Sequence, residues 1–152
     1  MDEKNEQLIS QYDIVVNSAY KSRGNLIINC DRGLLILTGY NYSEKKAEME
    51  NMIKKALIKA GYVNVDLFMK NTEGSYITTN RYASKFVLKK WYQAQECDLN
   101  EVEDIKKAAK NLAMLHNAFD LVKLETEDND KLISRDICKE YYGYNQEIKG
   151  VI

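Results

Sequence analysis

The run KFVLKKWYQAQECD, Lys85–Asp98, decides the fold. Its first eight residues alternate as a strand does, with Phe86, Leu88 and Tyr92 on one face and Val87 and Trp91 on the other. Lys90 shares the Phe86 face and can lay its stem along it. No Gly or Pro closes the run. It passes instead through two large aromatics into a short polar strap, and from Asn100 a helical period begins.

Upstream, the period switches twice. After a short helical start, NEQLISQYD, three strand-like runs follow at 14–24, 25–31 and 33–40, with SRGN and DRG placed as tight turns between antiparallel neighbours. Ser43 then caps a helix with Glu44 in its first turn, near the positive end of the dipole. Met49, Met52, Ile53, Ala56, Leu57 and Ala60 form its apolar stripe, and Gly61 ends it. Strand character returns at 64–70 and 76–82, joined by NTEGS.

Downstream of the strap, Val102, Ile105, Ala108, Ala109, Leu112, Leu115, His116 and Phe119 make a helical stripe, with Asn100 and Glu103 as its N-terminal cap. An acidic linker, ETEDNDK (125–131), precedes a last helical pattern carrying Ile133, Ile137, Tyr141, Tyr144, Ile148 and Val151. That apolar face runs to the final residues, which calls for a partner: this domain, another chain or further sequence.

At 152 residues, with 22 basic and 23 acidic side chains and a net charge of −1, the composition is that of a globular domain. Interspersed charge disfavours nucleic acid and anionic membrane as partners. No apolar run approaches the roughly 20 residues of a membrane helix, and the charged N-terminus is not followed by a signal-like apolar segment. Cys30, Cys97 and Cys138 lie far apart, which reads as free thiols in a reducing compartment, and with a single His zinc is not expected. Synthesis in the cytoplasm follows as the expectation.

The order β-β-β-α-β-β-β, strap, helix is that of the small lobe of a protein-kinase-like fold. There the third strand presents a Lys to phosphate groups and the helix a Glu that holds it. Here the third strand, LLILTGY, contains no Lys. Glu48 and Glu50 therefore read as a solvated helix face, with Glu50 and Lys54 as an i,i+4 surface pair. The turn KSRGN has one Gly, too few for a phosphate-covering loop, and reads as a plain hairpin turn. His116, followed by Asn117 and Ala118, lacks the Asp of a catalytic His-x-Asp and reads as a packed or capping His. No nucleophile–base pair or metal-spacing motif is present in the sequence.

Two longer stretches carry a resemblance. SEKKAEMENMIKKALIKAGYVNVDLFMKNTEGSYI (43–77) and KFVLKKWYQAQECDLNEVEDIKKAAKNLAMLHNA (85–118) resemble the N-terminal half of the CotS-type spore coat proteins. That family is similar to the choline kinase and aminoglycoside phosphotransferase superfamily, and YNQEIKGVI at the end resembles the start of a later family helix. The resemblance implies an α+β fold: a kinase-like N-terminal lobe over residues 1–97, with an antiparallel sheet of five to six strands and one packed helix. A hinge and two helices follow, so that 98–152 begins an incomplete large lobe. It places Trp91, Tyr92 and Gln93 at the hinge, where active relatives hold adenine.

Without the strand-three Lys and a large lobe, the expectation is a non-catalytic spore coat protein with no cofactor, at most a vestigial ATP site. Its partners would be other coat proteins or itself, through the terminal helix. The alternatives are the nucleotide-binding lobe of a truncated small-molecule kinase, and an unrelated α+β interaction domain.

Overall fold

The computed structural model describes residues 2–94 and 96–122. The expected terminal helix, the acidic linker and Cys138 lie outside the described residues. The elements run α1 (Glu3–Ile9), β1 (Val16–Ser22), β2 (Asn25–Cys30), β3 (Gly33–Gly39), α2 (Glu44–Lys59), β4 (Phe68–Met69), β5 (Ile77–Thr79), β6 (Lys85–Lys90) and α3 (Val102–Leu121).

All strand pairs are antiparallel, in the order β1-β2-β3-β6-β4, with β5 also pairing with β6. The strand that opens the sequence reading is thus flanked by β3 on one side and by β4 and β5 on the other. It is central, which explains why both of its faces are apolar. Leu88 joins Leu26, Ile28, Leu35 and Leu37 on one face, where Leu8 and Ile9 of α1 and the following Tyr12 cover it. Val87 joins Tyr40, Phe68 and Tyr76 on the other, against Ala47 of α2.

Local chemistry sets the ends of α2. The Ser43 hydroxyl accepts from the Lys46 N–H at 3.2 Å, satisfying one orphan donor of the first turn. At the other end Gly61 takes φ +101°, and the N–H groups of Tyr62 and Gly61 return to the carbonyls of Leu57 and Ile58. That pairing is a Schellman ending.

The buried face of α2 differs from its apolar stripe. Ala47, Asn51 and Leu57 are buried, whereas Met49 and Met52 are only half-buried. The reason is Asn51, 2% exposed. Its side-chain oxygen accepts from the Phe68 N–H (2.8 Å) and its amide donates to the Tyr76 hydroxyl (3.0 Å), so the helix docks through a polar pin.

The third helix also departs from expectation. Asn100 and Glu103 do not cap it; Glu101 stands at the N-cap without a side-chain bond, and Asn100 instead binds the Asp98 carboxylate. Of its stripe, Leu115 is half-buried and the neighbouring Ala118 buried, while His116 is exposed rather than packed. Leu115 and Ala118 meet Leu57, Tyr62 and Val65, and the Tyr62 hydroxyl and the Asn111 side-chain oxygen lie 3.1 Å apart in a hydrogen bond. This contact fixes α3 to the C-terminal end of α2 and the loop after it.

Candidate functional site

The strap leaves β6 still laddered to the sheet, because the Trp91 N–H donates to the Leu34 carbonyl at 2.9 Å. That group is therefore unavailable to a ligand. The Tyr92 hydroxyl reaches the loop after α2 and donates to the Val65 carbonyl at 3.0 Å. Gln93 is exposed. Trp91 and Tyr92 line a cavity of about 380 Å³ beneath the sheet, walled by Ile27 of β2 and Ile36 of β3. Its volume is within the range of small-ligand pockets, with a lining divided between apolar and polar residues. Gln93 lines neither this cavity nor the next.

The polar edge of the cavity is formed by Ser22, Arg23 and Asn25, at the β1–β2 turn, and by Glu96 of the strap. Arg23 Nη2 lies 2.6 Å from Glu96 Oε1. Sequence reasoning missed this pair, which joins residues 73 positions apart; no local spacing announces such a contact. Next to Asn25, β3 carries Thr38, and the Thr38 hydroxyl donates to the Asn25 side-chain oxygen at 2.8 Å. Thr38 shares the face of Ile36, on the strand where a Lys would otherwise hold phosphate.

The charges on α2 are arranged differently from a surface pair. Lys54 does not pair with Glu50. It binds Asp66 in the loop before β4 (2.8 Å), and Lys89 of β6 binds the other oxygen of the same carboxylate (2.7 Å). Lys54 also stands 3.9 Å from the centre of the Phe68 ring. Burial pushes the Asp66 carboxyl upward, but the two lysines outweigh it and hold it below its ordinary value.

Glu50 accepts instead from the Tyr40 hydroxyl at 3.2 Å. Burial, and then the Glu50 charge, raise that hydroxyl well above the usual tyrosine value. Glu48 is exposed. Neither glutamate thus faces a lysine of the third strand.

A second, more open cavity of about 510 Å³ lies between α2, the loop after it, Tyr92 and α3. Its walls are Ile53, Leu57, Val65, Leu115 and Phe119, with Glu50, Lys54 and Asp66 at the edge. Both charged ends of that edge are already occupied by one another or by Tyr40.

The hinge cavity's one cationic wall residue, Arg23, is paired with Glu96 at its exposed edge, and Thr38 of the third strand is bonded to Asn25. Among the described residues no group of three or more His, Cys, Asp or Glu is placed to hold a metal, and no helix is long and apolar enough to cross a membrane.

Sheet order, packed helix and hinge together define a kinase-like N-terminal lobe. An aminoglycoside phosphotransferase from Alicyclobacillus acidocaldarius subsp. acidocaldarius DSM 446 has a similar structure, with a TM-score of 0.67 at 11% identity. The likeness covers 95% of this chain and 42% of that one. The chain thus spans less than half the length of that enzyme, and the likeness concerns the fold. No family model matches the chain, and no curated protein matches it in sequence.

Proposed function

We propose that this chain is a non-phosphotransferring form of the kinase-like lobe that works through protein contacts. The observation that carries the reading is the emptying of the Lys–Glu pair. Thr38 stands on the inner face of β3, and Glu50 of α2 is bonded to Tyr40. Phosphoryl transfer rests on positioned charge around the phosphates, so a lobe without that pair has lost its means of holding them.

The resemblance of residues 43–77 and 85–118 to CotS-type proteins supports a place in a spore coat, with coat proteins or a second copy as partners and synthesis in the cytoplasm. The apolar positions Ile133, Ile137, Tyr141, Tyr144, Ile148 and Val151 suit such contacts in sequence. Calorimetric titration with ATP and Mg²⁺ tests the first half of the reading: no heat of binding is expected, and micromolar binding would overturn it. Light scattering across a concentration series, with recovery of coat proteins from sporulating cells, tests the second. A monomer at every concentration that recovers no partner would count against it.

A second reading, the nucleotide-binding lobe of a small-molecule kinase, is favoured by the hinge cavity and by the partial match to the phosphotransferase. It places adenine against Ile27, Ile36 and Trp91, with backbone groups of Tyr92 and Gln93 as its partners. The same ATP titration separates the two, as does the reading frame after Ile152.

A further inference from the structure

We propose that the β1–β2 turn is a latch: the Arg23–Glu96 ion pair holds it against the strap and narrows the mouth of the cavity lined by Trp91, itself 40% exposed. Three independent observations carry this, and none depends on what the cavity binds. The inference therefore stands apart from the functional reading above.

The first is the backbone. Ser22 pairs directly with Asn25, leaving Arg23 and Gly24 as a two-residue turn with φ of +49° and +80°. Such a turn favours Asn or Gly in its first central position, because a side chain with a Cβ is disfavoured at positive φ. An Arg held there is an outlier, and outliers of this kind point to a role for the side chain. The second is the contact itself, Arg23 Nη2 to Glu96 Oε1 at 2.6 Å, across the chain from the turn to the strap. The third is the place: both residues line the same cavity as Ile27, Ile36 and Trp91.

The two side chains are 83% and 79% exposed, so the pair is a reversible catch and not a strut. Exposed pairs shift an equilibrium by factors of about 1.4 to 5 and are weakened by salt. A latch of that strength leaves the cavity openable by ionic strength, or by any anion that takes Glu96's place on Arg23.

Trp91 is the only Trp in the chain, which gives the test its readout. Acrylamide quenching of its fluorescence is compared at low salt in the wild type, R23E, E96R and the charge-swapped double variant. The single variants are expected to raise the quenching constant by about 1.5-fold or more, and the double variant to return it to the wild-type value. Salt at about 0.5 M should bring the wild type toward the single variants.

R23G separates latch from turn. It relieves the backbone at φ +49° and so keeps or raises thermal stability, yet it should quench like R23E. The latch is overturned if the single variants and R23G quench like the wild type while circular dichroism shows them folded, or if the charge swap fails to restore protection.

Discussion

Asn51 is the side chain on which the docking of α2 turns. It is a polar residue in the middle of an apolar face, and both ends of its amide are used inside the fold. Replacing it by Ala or Leu leaves the Phe68 N–H without an acceptor, and a buried donor so stranded costs about 1–3 kcal/mol. Asn51→Leu keeps most of the volume, so a loss of the same size in both variants, read from urea unfolding, identifies the hydrogen bonds and not the cavity as the cause. Equal stability of Asn51→Leu and the wild type would refute this.

Asp66 makes a second prediction at the same scale. Its carboxyl is held below its ordinary value of 3.8, so its contribution is full above that pH and is lost as the pH falls through the lower folded value. Asp66→Asn should therefore flatten the acid limb of the stability curve below about pH 4. At neutral pH it should cost about 1–2 kcal/mol, a discount on buried pairs for a side chain that is 39% exposed.

Elements show most clearly where sequence reading succeeds and where it stops. The three opening strands, the Ser43 cap and the Gly61 ending were legible, because turn chemistry and capping are local. The inward turn of Asn51 was not: periodicity identifies an apolar stripe but assigns no polar residue to it. Nor was the exposure of α3, since a stripe states which face is apolar without stating what covers it. At the site, only the resemblance placed Trp91, Tyr92 and Gln93 at the hinge, and Arg23–Glu96 and Lys54–Asp66–Lys89 join residues no spacing relates.

The loops around β5 give a prediction of their own. Asn71 and Asn80 build the same five-residue turn. In each, the Asn oxygen accepts from the N–H groups two and four residues on, at 3.0 Å. The fourth residue takes positive φ in both, Gly74 at +80° and Ala83 at +60°. Ala83→Gly should therefore stabilise by about 0.5–1 kcal/mol, the left-handed cost exceeding the added chain entropy. Gly74→Ala should destabilise by about 0.5–1 kcal/mol, the same balance reversed. Space is not the issue, since a Cβ at Gly74 meets nothing within 4 Å. Thermal melts with opposite shifts for the two variants would establish this; shifts of one sign would not.

For the whole molecule, the telling feature is an apolar helix face left exposed among the described residues. Val102, Ile105, Leu112 and Phe119 fall at spacings of three and seven along α3 and are 45–63% exposed. Leu115, beside Leu112 and Phe119 on that stripe, and the adjoining Ala118 fix the helix to the end of α2. Ile105 and Leu112 lie outside that contact, so they can be altered without touching the anchor. Ile105→Lys and Leu112→Lys remove apolar surface outside the α2 contact, and each should change unfolding stability by no more than about 0.5 kcal/mol. If the chain acts through protein contacts on this face, the double variant should lose self-association or partner recovery together with that small change. Ala118→Asp, by contrast, places a charge inside the contact with Leu57, Tyr62 and Val65 and should cost several kcal/mol, of the order set by an unpaired buried charge. Two outcomes would remove α3 from the contact surface: association unchanged in the lysine double variant, or association lost only where the fold is lost with it.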